Sequence, residues 1–219
     1  MTARVEGVAS SDDSAALATR SRRRAGWAGF AAVAGNLLGV ACLKNMPSAY
    51  RLGRLEEWAS AVRTEPASTV ASAVCFATGL AALSSWALEL GHGIGTPRAR
   101  KAASLIAATA LVNAAGSLLP IPAALGSGHT VAFLRTSLSV DALFNLGLGV
   151  GLLGLAVELR RPIAHRVLAF AAGATSIPVA GQAVWDGAAS VLYVAAPLWL
   201  SLIAITSFDW LRSNASAKR

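Results

Sequence analysis

Charge is scarce in this sequence. Of 219 residues, only 14% are Asp, Glu, Lys or Arg, against roughly 25% in a typical soluble domain. Cysteine is almost missing too: Cys42 and Cys75 are the two, and no C-x-x-C occurs. That removes a disulfide framework, a dithiol redox site and a cysteine-rich zinc site. His92, His129 and His165 fall at opposite ends of hydrophobic runs, so they have no common point at which to hold a metal or clamp a haem. There is no H-E-x-x-H helix of a zinc protease and no G-x-S-x-G elbow of a serine hydrolase. Neither cofactor nor metal is expected.

Other near-matches fail on chemistry. Gly126-Ser127-Gly128-His129 sets a serine beside a histidine, but chain neighbours do not form a nucleophile–base pair. Gly149-x-Gly151-x-x-Gly154 has the dinucleotide-binding spacing. It lies inside a continuous apolar run, with no strand before it and no acid about 20 residues on, so it reads as helix packing. Glu56-Glu57 resembles the paired glutamates of a family of membrane-embedded proteases. In that family an arginine follows four residues after the second glutamate, and here the position holds Ala61. Gly91-His92-Gly93-Ile94-Gly95 reads as a flexible turn. No motif ties the chain to a named family, and nothing in it supplies a catalytic signature.

Hydrophobic residues, by contrast, make up 55% of the chain, and mean hydropathy is +0.56. A bilayer core of ~30 Å needs ~20 apolar residues per helical crossing. Six runs meet or approach that length, at about 25–43, 67–90, 102–124, 138–157, 164–184 and 188–208. The expected fold is an all-α bundle of six transmembrane helices over residues 25–210. A disordered basic tail is expected over 1–24 and a short basic tail over 211–219. The short connections and alanine-rich composition suggest a bacterial inner-membrane protein.

The net charge of +8 is distributed by side rather than gathered for nucleic acid, so no nucleic-acid partner is expected. With a cytoplasmic N-terminus, fourteen Lys and Arg residues fall inside: five in the N-terminal tail, then Arg98, Arg100, Lys101, Arg160, Arg161, Arg166, Arg212, Lys218 and Arg219. Five fall outside: Lys44, Arg51, Arg54, Arg63 and Arg135. That is the positive-inside bias, and it places both termini in the cytoplasm.

Ser21 to Arg24 resembles the start of a twin-arginine signal, and Gly39 to Cys42 a lipoprotein cleavage box. Gly39 stands where the box wants a leucine-like residue, and Ala25-Gly26 follow the arginines. Five more spans come after, so the run is expected to stay as the first span.

Small residues dominate the spans. Gly35 and Gly39, and again Gly147 and Gly151, form G-x-x-x-G pairs, whose shared face admits a close neighbouring backbone. Packing within the bundle is the first expectation, and a homo-oligomer or membrane-protein partner the second. Besides the glycines, "GNLLGV" in span one echoes "FNLGLGV" in span four, a short hint of an inverted repeat. Pro120, Pro178 and Pro197 fall inside spans three, five and six, where proline kinks a helix.

Polar side chains inside the spans carry the functional expectation, because each must find a partner. Asn36, Asn113, Asp141, Asn145, Gln182 and Asp186 converge in depth on the outer half of the bundle, with Lys44 and His129 at the same level. They are the candidate polar pocket, and Asp141 is its leading residue. In the first outer loop, Leu52, Leu55, Ala59 and Val62 have helical spacing. They predict a short amphipathic helix on the outer leaflet, with Trp58 at headgroup level. The expected function is a non-enzymatic permeation, lipid-binding or partner-binding component. The alternative is an intramembrane lipid enzyme using Asp141 and Asp186.

Overall fold

The computed structural model describes residues 11–43, 54–159 and 162–216; Leu52 and Lys44 lie outside them. Among the described residues there are helices and turns but no strands. The helices are α1 Ser11–Cys42, α2 Leu55–Thr64, α3 Pro66–Ile94, α4 Pro97–Gly116, α5 Pro120–Ala124, α6 Thr130–Glu158, α7 Ile163–Val179 and α8 Leu192–Ser216. Two 3₁₀ turns, Ala180–Ala183 and Asp186–Val191, join α7 to α8. Six helical stretches are long and apolar enough to cross a membrane. Their positions match the six apolar runs of the sequence.

Local chemistry sets the boundaries. Pro66 and Pro97 open α3 and α4, where a missing N–H removes a donor that has no partner anyway. Thr96 caps α4 by accepting from the Ala99 N–H at 3.1 Å, and its hydroxyl donates to Glu158 at 2.8 Å. Gly95 closes α3 at φ 82°, a left-handed conformation that suits glycine. α1 begins at Ser11, so residues 11–24 continue the first helix rather than forming the unstructured tail expected of them. No glycine or proline interrupts the chain between Ser11 and Arg24.

The third span is not one straight helix. α4 stops at Gly116, and the chain turns through Ser117–Leu119 before Pro120 restarts it as α5. The fifth span changes character as well. Two residues after Pro178, the α-helix tightens into the 3₁₀ turn at Ala180.

The six long helices form a closed ring. Each packs on the next in the order α1, α3, α4, α6, α7, α8, and α8 returns to α1. One end of the ring carries Cys42, α2 and the α5–α6 connection; the other carries the starts of α4 and α7 and the end of α8. The main core fills the ring around Leu83, Trp86, Ile106, Leu152, Leu155 and Ile203. Large apolar side chains also face outward on every helix of the ring, among them Leu38, Val74, Leu111, Val150, Phe170 and Phe208.

Close approach is built from small residues. A β-carbon on Gly35 would lie 2.6 Å from Gly79 Cα, which is backbone and cannot yield. Gly39 sits against the Phe76 ring, Gly147 against Thr109, and Gly151 against Ile106 and the Ala102 carbonyl. All four glycines of the two G-x-x-x-G pairs therefore face neighbours in the same chain: α3 for the first pair, α4 for the second.

The amphipathic helix α2 exists, but its apolar face turns inward. Leu55, Trp58, Ala59 and Val62 are buried against Ala123, Ala124 and Leu134 of α5 and α6. Trp58, expected at headgroup level, is 2% exposed. The reason is supply. The break at Gly116–Pro120 swings α5 out as a small apolar platform, and α2 covers it.

Candidate functional site

Asp141 lies on α6, eleven residues from its start at Thr130, which is about 16 Å along the axis. Asn145 is one turn further on the same face. Both helix breaks bring partners to this point. Asn113 lies in the last turn of α4, just before the Gly116 break, and Gln182 lies in the 3₁₀ turn after Pro178.

The result is one carboxylate held by three amides. Asn113 Nδ2 donates to Asp141 Oδ1 at 2.8 Å. Asn145 Nδ2 donates to Oδ2 at 3.2 Å and also to the Asp141 carbonyl at 2.9 Å. Gln182 Nε2 donates to Oδ2 at 2.6 Å. A carboxylate offers about four lone-pair positions, two per oxygen. Oδ2 is filled, and Oδ1 keeps one position open.

No described Lys, Arg or His pairs with Asp141; the described ion pairs are Arg54–Glu57 and His165–Asp209. The amide oxygens turned away from the carboxylate, Asn145 Oδ1 and Gln182 Oε1, are buried without a partner among the described residues. The region is rich in acceptors and carries no described positive charge. A hard metal cation needs six or more oxygens around it, whereas Asp141 is surrounded by N–H groups. No group of three or more potential metal ligands of the His, Cys, Asp or Glu type occurs among the described residues.

Asp141 is half-buried because it borders a cavity of about 280 Å³. Asn36, Asn113 and Asn145 line the same space. Ser72, Ser117 and Ser137 add hydroxyls, and most of the remaining wall is apolar, including Trp58, Phe76, Phe144 and Trp199. Phe144 and Trp199 meet edge to face, with ring centroids 6.5 Å apart. Trp199 Nε1 is a buried donor without a partner among the described residues. The cavity is thus polar at the Asp141 end and apolar elsewhere.

Of the six residues of the expected pocket, four line the cavity and Gln182 hydrogen-bonds to Asp141 from behind. Asn36 stands on the α1 wall, with its Nδ2 donating to the Ala32 carbonyl at 2.8 Å. Asp186 is not among the lining residues and belongs to the turn that precedes α8. His129 is exposed at the start of α6 and does not border the cavity.

Sequence reasoning passed over Ser137, although Ser137, Asp141 and Asn145 repeat every four residues and mark one polar stripe. It also placed Trp58 at headgroup level rather than in the cavity wall, and passed over Trp199. No local signal distinguishes a cavity-wall tryptophan from one that packs in a core.

Comparison with protein-family models, with curated proteins and with solved structures finds no match to this chain.

Proposed function

We propose that this chain is a multi-pass membrane protein, inserted with both termini in the cytoplasm, that binds an amphipathic small molecule without transforming it. The fourteen-to-five division of basic residues supports the orientation, and the outward-facing apolar belt supports insertion. The carrying observation is the Asp141 carboxylate, fixed by three amides at the polar end of an apolar cavity. An ionisable side chain within a span marks a functional site by default. Pockets with mostly apolar walls and a few converging polar groups are the usual form of small-molecule sites.

At about 280 Å³, the cavity is near the lower end of the roughly 300–1,000 Å³ range of ligand pockets. It suits a headgroup and the first part of a chain better than a whole lipid. Binding is favoured over catalysis because Asp186, the partner an acid pair would need, is not among the described lining residues.

Native mass spectrometry of protein released from membranes in mild detergent tests the reading. A retained small molecule is expected with the wild type and its loss with Ala73→Phe, which fills the cavity from α3. Equal retention by the filled variant would overturn the proposal.

A further inference from the structure

The cavity has a second property, set by where its walls are exposed. Three of its large apolar lining residues are more than half exposed: Leu37 at 55% and Val40 at 57% on α1, and Tyr193 at 63% on α8. No lining residue of α3 or α6 reaches that exposure. The opening is therefore between α1 and α8.

The packing of α1 explains why. Toward its start, α1 meets α8. A β-carbon on Gly26 would touch Leu211 and the Ser207 carbonyl, and one on Gly29 would touch Ser207 and Ile203. Toward its end, α1 meets α3 instead. Gly35 rests on Gly79, Gly39 on Phe76, Ser72 Oγ donates to the Gly39 carbonyl at 2.9 Å, and Ser68 Oγ donates to the Cys42 carbonyl. The two helices converge at the end where the chain terminates and separate toward the end that carries α2. α8 begins there only after the 3₁₀ turn Asp186–Val191. Over the top, α2 closes the cavity with buried Trp58. The open side thus faces sideways, in the plane of the apolar belt.

Resting on the binding reading above, we infer that the site takes a single-chain lipophilic amine from the bilayer, through the gap between α1 and α8. Its protonated headgroup sits at Asp141 and its chain trails out past Leu37, Val40 and Tyr193. The charge follows from the wall, which has one carboxylate and, among the described residues, no Lys, Arg or His. An anionic head meets repulsion there. A zwitterionic phospholipid would bring a phosphate that no described lining residue neutralises. An ammonium group supplies the missing charge and one N–H for the open position on Asp141 Oδ1. The sideways opening and the apolar wall supply the route and the chain's environment.

Photo-crosslinking in liposomes tests this with four probes, each carrying a diazirine near the middle of its chain: hexadecylamine, hexadecanol, hexadecanoate and a phosphatidylethanolamine. The amine is expected to label peptides containing Leu37–Val40 and Tyr193–Ala196 about tenfold more than the other three. Asp141→Asn is expected to abolish that preference while leaving amine labelling at the level of the alcohol. Val40→Trp, at the mouth, should slow amine labelling about tenfold. Leu111→Trp, which is exposed on α4 away from the mouth, should leave the rate unchanged.

Equal labelling by amine and alcohol would overturn the headgroup assignment while the site itself stands. Preference for the phosphatidylethanolamine would name a phospholipid in place of a lipophilic amine and overturn the inference. An unchanged rate in Val40→Trp would overturn the sideways route. Failure of every probe to label these peptides would instead remove the binding reading on which the inference rests.

Discussion

At the scale of single residues, Asp141 organises three segments that are far apart in sequence. Replacing it with leucine removes the acceptor for Asn113 and Gln182 and one of the two for Asn145, and leaves those N–H groups buried. Side-chain hydrogen bonds in membrane proteins average ~0.6 kcal/mol and reach ~1.7, while abandoned donors cost more than the mean bond. Asp141→Leu is therefore expected to destabilise by about 2 kcal/mol or more. Asp141→Asn keeps one oxygen and the shape, and is expected to lose less than about 1 kcal/mol. Thermal unfolding in detergent checks the order, and a leucine variant as stable as the asparagine variant would show that the cluster contributes nothing to the fold. Gln182→Ala removes a single donor and is expected to fall between wild type and Asp141→Leu.

At the scale of elements, glycine contacts determine how the helices meet. Gly35→Ala drives a methyl group into the Gly79 backbone and is expected to destabilise by about 1–3 kcal/mol, the usual range for overpacking. Gly93, near the end of α3, has open space around its would-be β-carbon. Gly93→Ala is expected to be neutral or stabilising by up to about 1 kcal/mol, through helix propensity alone. Unfolding midpoints of the two variants should diverge; equal shifts would mean that α1 does not rest on α3 at this point.

Gly35 was visible in the sequence through its G-x-x-x-G partner. Gly79, its actual contact, belongs to no such pair and carries no local mark. The spans were legible because length and hydropathy are local properties. The depth of Asn113, Asp141, Asn145 and Gln182 was legible by counting residues. Their meeting at one carboxylate was not, because it depends on the Gly116–Pro120 break and on the 3₁₀ turn after Pro178. The sequence marks each of these with a proline but assigns neither a direction. The inward turn of α2 was hidden for the same reason. Spacing fixes which face of a helix is apolar, and only the neighbouring elements decide what that face covers.

At the scale of the whole molecule, the proposed six crossings would place both chain ends on one side. Reporter fusions after Arg219 and after Lys101 are expected to report cytoplasm, and a fusion near Gly126 the opposite face. A cytoplasmic signal near Gly126 would break the six-crossing arrangement. Peptide mass spectrometry is expected to find Cys42 uncleaved and without lipid, as suits a residue in the last turn of α1 whose carbonyl receives a hydrogen bond from Ser68. A mature chain starting at lipidated Cys42 would remove α1, and with it one wall of the cavity.

The opening between α1 and α8 means that the polar anchor and the chamber around it are completed by different elements. The carboxylate and its three amides all lie within residues 113–182, on elements other than the two helices that border the opening. The chamber around it exists only after α8 arrives and docks its far end on Gly26 and Gly29. A chain lacking α8 is therefore expected to hold that anchor in an open trough, and docking of α8 turns the trough into a pocket.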